Sequence, residues 1–243
     1  MRGNILYNRI MNTMPVFLII FFLVSVFHIT ATFMGKGTLR KMSKIFIVPP
    51  LLAAFIAGAA PLGGGFQSMQ FLFPVLALML GWTGDVLFIR KDKKIYFKLG
   101  LVSFLLGHIC YIITYISLLG FFTAAPTINV TAMAISIPLA IITGVMLLRF
   151  IKPSKELLVP VIFYMIVIET MAVWGLQVFI FNPGIAGTLI LLGCLCFILS
   201  DTILAYYTFR RINRMAAALL ISFYILAQAG IILGVLFVMG IML

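Results

Sequence analysis

The chain has 243 residues, 64% of them hydrophobic and 9% charged, and its 17 Lys and Arg against 5 Asp and Glu give a formal net charge of +12. Globular domains are about half apolar and about a quarter charged, so a water-soluble fold is excluded, and apolar content this high excludes a disordered chain as well. A bilayer crossing takes about 20 apolar residues, so the length holds about eight or nine helices and little loop. The expectation is an all-α, polytopic integral membrane protein, a single transmembrane domain over residues 1–243.

Eight apolar segments follow one another at 15–34, 45–62, 71–89, 97–122, 128–150, 157–181, 184–208 and 215–242. Arg2 and Arg9 precede the first, as in a signal peptide. The run from Val16 continues to Phe33 with no small-x-small cleavage site after it, so it reads as the first transmembrane helix. The breaks carry turn chemistry: Gly35-Lys36-Gly37, Gly63-Gly64-Gly65, the charged run Arg90 to Lys94, Ala125-Pro126, Lys152-Pro153, Asn182-Pro183 and Arg210 to Arg214. Pro15, Pro49, Pro50, Pro74 and Pro160 fall in loops or first helical turns, where a missing N–H costs little. Pro138 lies well inside the fifth segment and predicts a kink.

The basic residues sit between the segments. Loops 1–2, 3–4, 5–6 and 7–8 hold 4, 5, 3 and 3 Lys and Arg, the N-terminus holds 2, and the other loops and the C-terminus hold none. The positive-inside rule then places the basic loops in the cytoplasm and both termini outside, in the cell's inner (plasma) membrane. The same charges attract anionic lipid head groups. No basic stripe with interleaved aromatics exists outside the membrane segments, so nucleic acid is not an expected partner. Cys110, Cys194 and Cys196 all lie in apolar runs and read as packing residues. Gly84-Asp85-Val86-Leu87-Phe88 and Ser200-Asp201-Thr202-Ile203-Leu204 form a weak echo, half the chain apart, of the kind a four-plus-four duplication would leave.

Charged groups inside a bilayer cost at least about 2.5–3.5 kcal/mol each, so every one is a functional candidate. Asp92 and Glu156 belong to loops, which leaves Asp85, Glu169 and Asp201, joined by the chain's two histidines, His28 and His108. At 1.5 Å per residue, Asp85, Asp201, His108 and Tyr164 lie some 7–15 Å below the cytoplasmic surface by the segment boundaries, and Glu169 lies nearer the midplane. Phe104, His108, Tyr111 and Tyr115 follow an i, i+4, i+7, i+11 pattern that gives the fourth segment a polar-aromatic stripe. Trp82, Asp85 and Ile89 share a face of the third. Tyr164 and Glu169 are five residues apart, about 140° around a helix, which sets them on different walls. His28 reads as a packed residue bonded to a neighbouring carbonyl, and the three tyrosines fit packing as well as function. Two aspartates at similar depth on separate helices are harder to assign to structure, because no Lys or Arg is placed deep enough to neutralise them.

At these residues the sequence resembles the YhhN family of eight-helix membrane proteins, whose characterised animal members are lysoplasmalogenases. The resemblance covers most of the chain. It rests on Thr83-Gly84-Asp85 with Leu87, Gly100-Leu101 followed by Gly107-His108 and Tyr111, Pro160 and Tyr164 with Met171, and Ser200-Asp201 with Leu204-Ala205. Glu169 has no place in that pattern.

The resemblance implies hydrolysis of the vinyl ether bond of lysoplasmalogens, a lysophospholipid class, to a fatty aldehyde and a glycerophospho-ethanolamine or -choline. A vinyl ether breaks by protonation of its β-carbon, and water captures the oxocarbenium ion as a hemiacetal. That chemistry asks for one protonated carboxyl and one carboxylate, as in glycosidases, with no metal or organic cofactor. Asp85, beside the basic loop Arg90 to Lys94, is the expected carboxylate. Asp201, expected to be the deeper and more desolvated, is the expected acid. His108, Tyr111, Tyr164 and Ser200 are the expected substrate contacts, with the phosphate near Arg90, Lys91, Lys94 or Arg210. Three other readings stay open: a metal-dependent membrane lipid hydrolase using His28, His108, Asp85 and Asp201, a small-molecule or proton-coupled transporter, and a lipid-binding protein without catalysis.

Overall fold

The computed structural model describes residues 13–60, 68–90, 93–122, 126–208 and 212–240, and these are helices and short connections with no strand among them. The helices are α1 (Met14–Phe33), α2 (Gly37–Ile45), α3 (Val48–Ala59), α4 (Met69–Phe88), α5 (Lys94–Leu118), α6 (Val130–Ile151), α7 (Lys155–Phe181), α8 (Ile185–Thr208) and α9 (Arg214–Val238). Among the described residues eight stretches are long and apolar enough to cross a membrane, with α2 and α3 together making the second, Gly37–Ala59. The chain is therefore an all-helical, multi-pass membrane protein. Arg2, Arg9, Gly63 to Gly65, Lys91, Asp92, Arg210 and Arg211 lie outside the described residues.

The helix α2 differs from expectation. Residues 37–44 read as a basic loop, yet Leu, Arg, Lys and Met are good helix formers, and Arg40, Lys41 and Lys44 fall within about 100° of one another around its axis. The helix ends because of Pro49 and Pro50. A proline ring clashes with the carbonyl four residues back and has no N–H to give it, so the chain turns at Phe46 and Ile47 before α3 begins.

The chain divides into two compact units, residues 1–114 with 235–243, and residues 115–234. In the first, α1 packs on α2 and α3, and both of those pack on α4. Its core is Leu51, Ala54, Phe55, Phe71 and Leu78, all buried, with the Phe55 and Phe71 rings 5.8 Å apart.

In the second, α7 packs against both α6 and α8. Lipid tails are as apolar as leucine, so helices in a membrane associate by close packing, often at small residues. Here α8 and α9 meet at glycines: a Cβ on Gly193 would lie 2.9 Å from the Ile231 nitrogen, and one on Gly230 2.9 Å from the Leu189 oxygen. The helix α6 is peripheral, with only Ser136 and Ile151 buried among its 22 residues, and it runs unbroken through Pro138. Asn129 caps it by accepting from the Ala132 N–H at 2.9 Å, and Gln177 of α7 accepts from the Asn129 N–H at 2.9 Å. The other end closes on Lys152 in the left-handed region (φ 51°), just before Pro153.

Candidate functional site

Asp85 lies on α4, three residues before the helix ends, and is 1% exposed. Its Oδ1 is 3.0 Å from the Nζ of Lys44 at the end of α2. This corrects the expectation that no basic residue reaches the aspartates. In a continuous helix the N–H of residue 49 would go to the Ile45 carbonyl, and Pro49, having none, leaves that carbonyl open. Trp82, one turn before Asp85, donates its Nε1–H there at 2.8 Å. The end of α2 is thereby fixed to α4, and the residue before Ile45 is Lys44.

Aromatic rings surround this pair. The Lys44 ammonium lies 5.6 Å from the Phe88 ring centre, and Phe88 packs with Phe104 at 5.4 Å and stacks on Phe97 at 5.7 Å. Gly84 exists in the space Phe104 needs: a Cβ there would stand 2.6 Å from the Phe104 ring. Gly100 is likewise closed by Phe88. Ser103 of α5 donates to the Leu80 carbonyl of α4 at 2.6 Å, tying the two helices together.

His28 of α1 meets Ser43 of α2, with Nδ1 and Oγ 2.7 Å apart. Ser43 also donates to the Leu39 carbonyl at 2.7 Å, so its single proton is used there and the imidazole supplies the proton of the 2.7 Å contact. His28 thus pins α2, as the packing reading expected, with a hydroxyl as partner in place of a carbonyl. His108 and Tyr111 are buried at 2% and 1%, and Phe104 and Tyr115 are buried too, so the whole predicted stripe of α5 faces inward. Arg90, just past α4, is exposed and lies 5.9 Å from the Tyr96 ring centre.

In the second unit Asp201 of α8 accepts a hydrogen bond from the Tyr164 hydroxyl of α7 at 2.6 Å. Ser200 beside it is buried. Asp201 is half-buried, whereas Asp85 is nearly inaccessible. The expected order of desolvation is reversed, because the turn of α2 and the Phe88–Phe104 wall cover Asp85. Glu169 accepts from Thr143 of α6 at 3.0 Å and takes no part in the Tyr164–Asp201 contact, consistent with their angular separation. Lys44 is the residue that sequence reasoning missed: it stands 41 positions before Asp85, in a stretch assigned to a loop. Among the described residues no group of three His, Cys, Asp or Glu converges as a metal site.

Neither a curated protein nor a solved structure matches the chain. A family model does match, over residues 39–235, which takes in the α2–α4 ion pair and the Tyr164–Asp201 contact alike. On that match, and on its eight membrane-spanning stretches, the chain belongs to the YhhN family.

Proposed function

We propose that this chain is a lysoplasmalogenase-type hydrolase, cleaving the vinyl ether bond of a lysophospholipid by two-carboxylate acid–base catalysis. The observation that carries the reading is the Lys44–Asp85 ion pair, which sets a carboxylate inside a membrane span of a YhhN-family chain. Intramembrane charge at this cost is retained for function.

In the proposed reaction Asp201, held by Tyr164, gives its proton to the β-carbon of the vinyl ether, and the π pair forms the new C–H bond. The oxocarbenium ion left behind is stabilised by the Asp85 carboxylate, which takes a proton from the attacking water. The hemiacetal then collapses: the Asp201 carboxylate accepts its hydroxyl proton while Asp85 returns a proton to the departing glycerol oxygen. One water is consumed, both carboxyls regain their starting states, and a fatty aldehyde leaves. Lys44 holds Asp85 in place through the 3.0 Å ion pair, where the nearby positive charge was expected from the loop Arg90 to Lys94. His108, Tyr111 and Ser200 are the proposed substrate contacts and Arg90 a phosphate contact. The basic loops then face the cytoplasm, with both termini outside the plasma membrane.

The test is to incubate purified protein with a lysoplasmalogen and its acyl and alkyl analogues and to measure free aldehyde by mass spectrometry. Aldehyde should appear from the vinyl ether alone. Asp85→Asn and Asp201→Asn should each lower turnover at least about a hundredfold, and the double variant should be little worse than either, as for groups acting in one step. Absence of aldehyde, or near-normal turnover in either variant, would refute the mechanism.

A further inference from the structure

The cations of α2 are not equivalent. Ser43 points at α1, where it meets His28, and Arg40 lies about 60° around the helix from it. Lys44 is about 40° beyond Arg40 on the same side, whereas Lys41 is about 160° from Ser43, on the far side. Exposure follows that order: Ser43 is buried, Arg40 and Lys44 are half-buried, and Lys41 is exposed. Arg40 and Lys44 both act electrostatically on the His28 ring, so both cations stand on the inward side of α2.

Of these two, Lys44 has a counter-ion and Arg40 has none. Lys44 pairs with Asp85 at 3.0 Å, and Arg40 makes no ion pair or side-chain hydrogen bond among the described residues. A guanidinium presents five donors in a planar fork that matches the oxygens of a phosphate or carboxylate. Arg40 is therefore an anion receptor turned toward Asp85, which already has its own cation.

Position along the span selects the anion. Gly37–Ala59 is one membrane-spanning stretch, and Arg40 comes one helical turn before Lys44 in it, so it stands about 6 Å nearer the end of that stretch. In a lysophospholipid the phosphate hangs two glycerol carbons along from the ether carbon, about 6 Å from the ether oxygen in an extended chain. It also lies on the water side of the ether. With the ether at Asp85, the phosphate falls at the level of Arg40.

We propose that Arg40 binds the phosphodiester of the lysophospholipid, as a phosphate contact in addition to Arg90. The assignment rests on the reading that the ether lies at Asp85. It makes Arg40 a specificity residue, because a single-chain ether lipid without phosphate leaves the fork empty.

The probe is a tritiated 1-O-alkyl lysophosphoethanolamine, which has the alkyl ether and is not cleaved. Its binding to the full-length protein in detergent is read by scintillation proximity. The alkylglycerol of the same chain length should compete at least about tenfold less well, the worth of a hydrogen bond to a charged group. Inorganic phosphate and a two-chain phosphatidylethanolamine, each at the concentration of the probe, should not displace it. Arg40→Gln should lower affinity for the lysophospholipid to that for the alkylglycerol and leave alkylglycerol binding unchanged, which also shows that the variant is folded. Lys41→Gln, which removes the same charge from the far side of α2, should change neither. Equal loss of both ligands in Arg40→Gln, an equal loss in Lys41→Gln, no phosphate preference in the unmodified protein, or equal competition by inorganic phosphate or the two-chain lipid would overturn the proposal. Because the probe is not cleaved, the result is separate from the aldehyde assay. Aldehyde formed without a phosphate preference at Arg40 refutes this site alone, and a preference kept without aldehyde refutes the chemistry and leaves the site standing.

Discussion

The Nε1–H of Trp82 takes the place of the N–H that Pro49 lacks, donating at 2.8 Å to the carbonyl of Ile45. A helix break written as Pro49-Pro50 thus becomes an inter-helix contact, and the turn it makes directs Lys44 at Asp85. Local backbone chemistry and the buried ion pair are one device.

That linkage is testable by a double-mutant cycle. Trp82→Phe leaves the Ile45 carbonyl without its donor and should cost about 1–3 kcal/mol of stability. In a Pro49→Ala background the backbone N–H of residue 49 returns, and the same Trp82→Phe change should cost clearly less. Thermal midpoints of the four detergent-solubilised proteins measure the coupling, and additive losses would show that the two residues do not serve the same carbonyl.

Lys44→Met removes the ammonium that stands 3.0 Å from the buried Asp85, and breaking one side of a buried pair costs about 3–5 kcal/mol. Lys44 is 22% exposed, so water shares in its role and the lower end of that range is expected. Lys44→Met with Asp85→Asn should recover most of the stability and none of the activity. Recovery of aldehyde production in the double variant would separate Asp85 from catalysis altogether.

Gly84→Ala should be a disproportionately costly small change. The new methyl would overlap the Phe104 ring, which is buried and held by Phe88, and overpacking of this kind costs about 1–3 kcal/mol. Phe104→Leu in the same chain should restore part of the loss in thermal midpoint, by vacating the space the ring occupied. No restoration would mean that the glycine is required for backbone reasons instead.

Much of this was legible in the sequence, and the reasons differ by element. The number of membrane-spanning stretches followed from segment length against bilayer thickness. The stripe Phe104, His108, Tyr111 and Tyr115 followed from the 3.6-residue period, and all four side chains are buried. Residues 37–44 differ from expectation because charge density marked them as a loop, while their helical face needs only one turn of sequence after another to form. Lys44 was missed because its role depends on the direction the chain takes after two prolines. The prolines announce that carbonyls will lack donors, but nothing in the sequence names Trp82 as the substitute. Burial of Asp85 beyond that of Asp201 has the same origin, since the cover over it is the turn of α2.

The Tyr164–Asp201 contact separates a positioning role from a catalytic one. Tyr164 donates to Oδ2 at 2.6 Å, which fixes the plane of the carboxyl. Tyr164→Phe removes that tether but no proton-transfer group. Turnover should therefore fall, yet by less than the loss of at least about a hundredfold expected for Asp201→Asn. In the Asp201→Asn background Tyr164→Phe should have almost no further effect on turnover, because there is no longer a proton donor to orient. Kinetics of the four proteins on one lysoplasmalogen decide the matter, with KM followed separately from kcat. A Tyr164→Phe loss confined to KM would make Tyr164 a substrate contact, and a loss that persists undiminished in the Asp201→Asn background would show that it acts independently of Asp201.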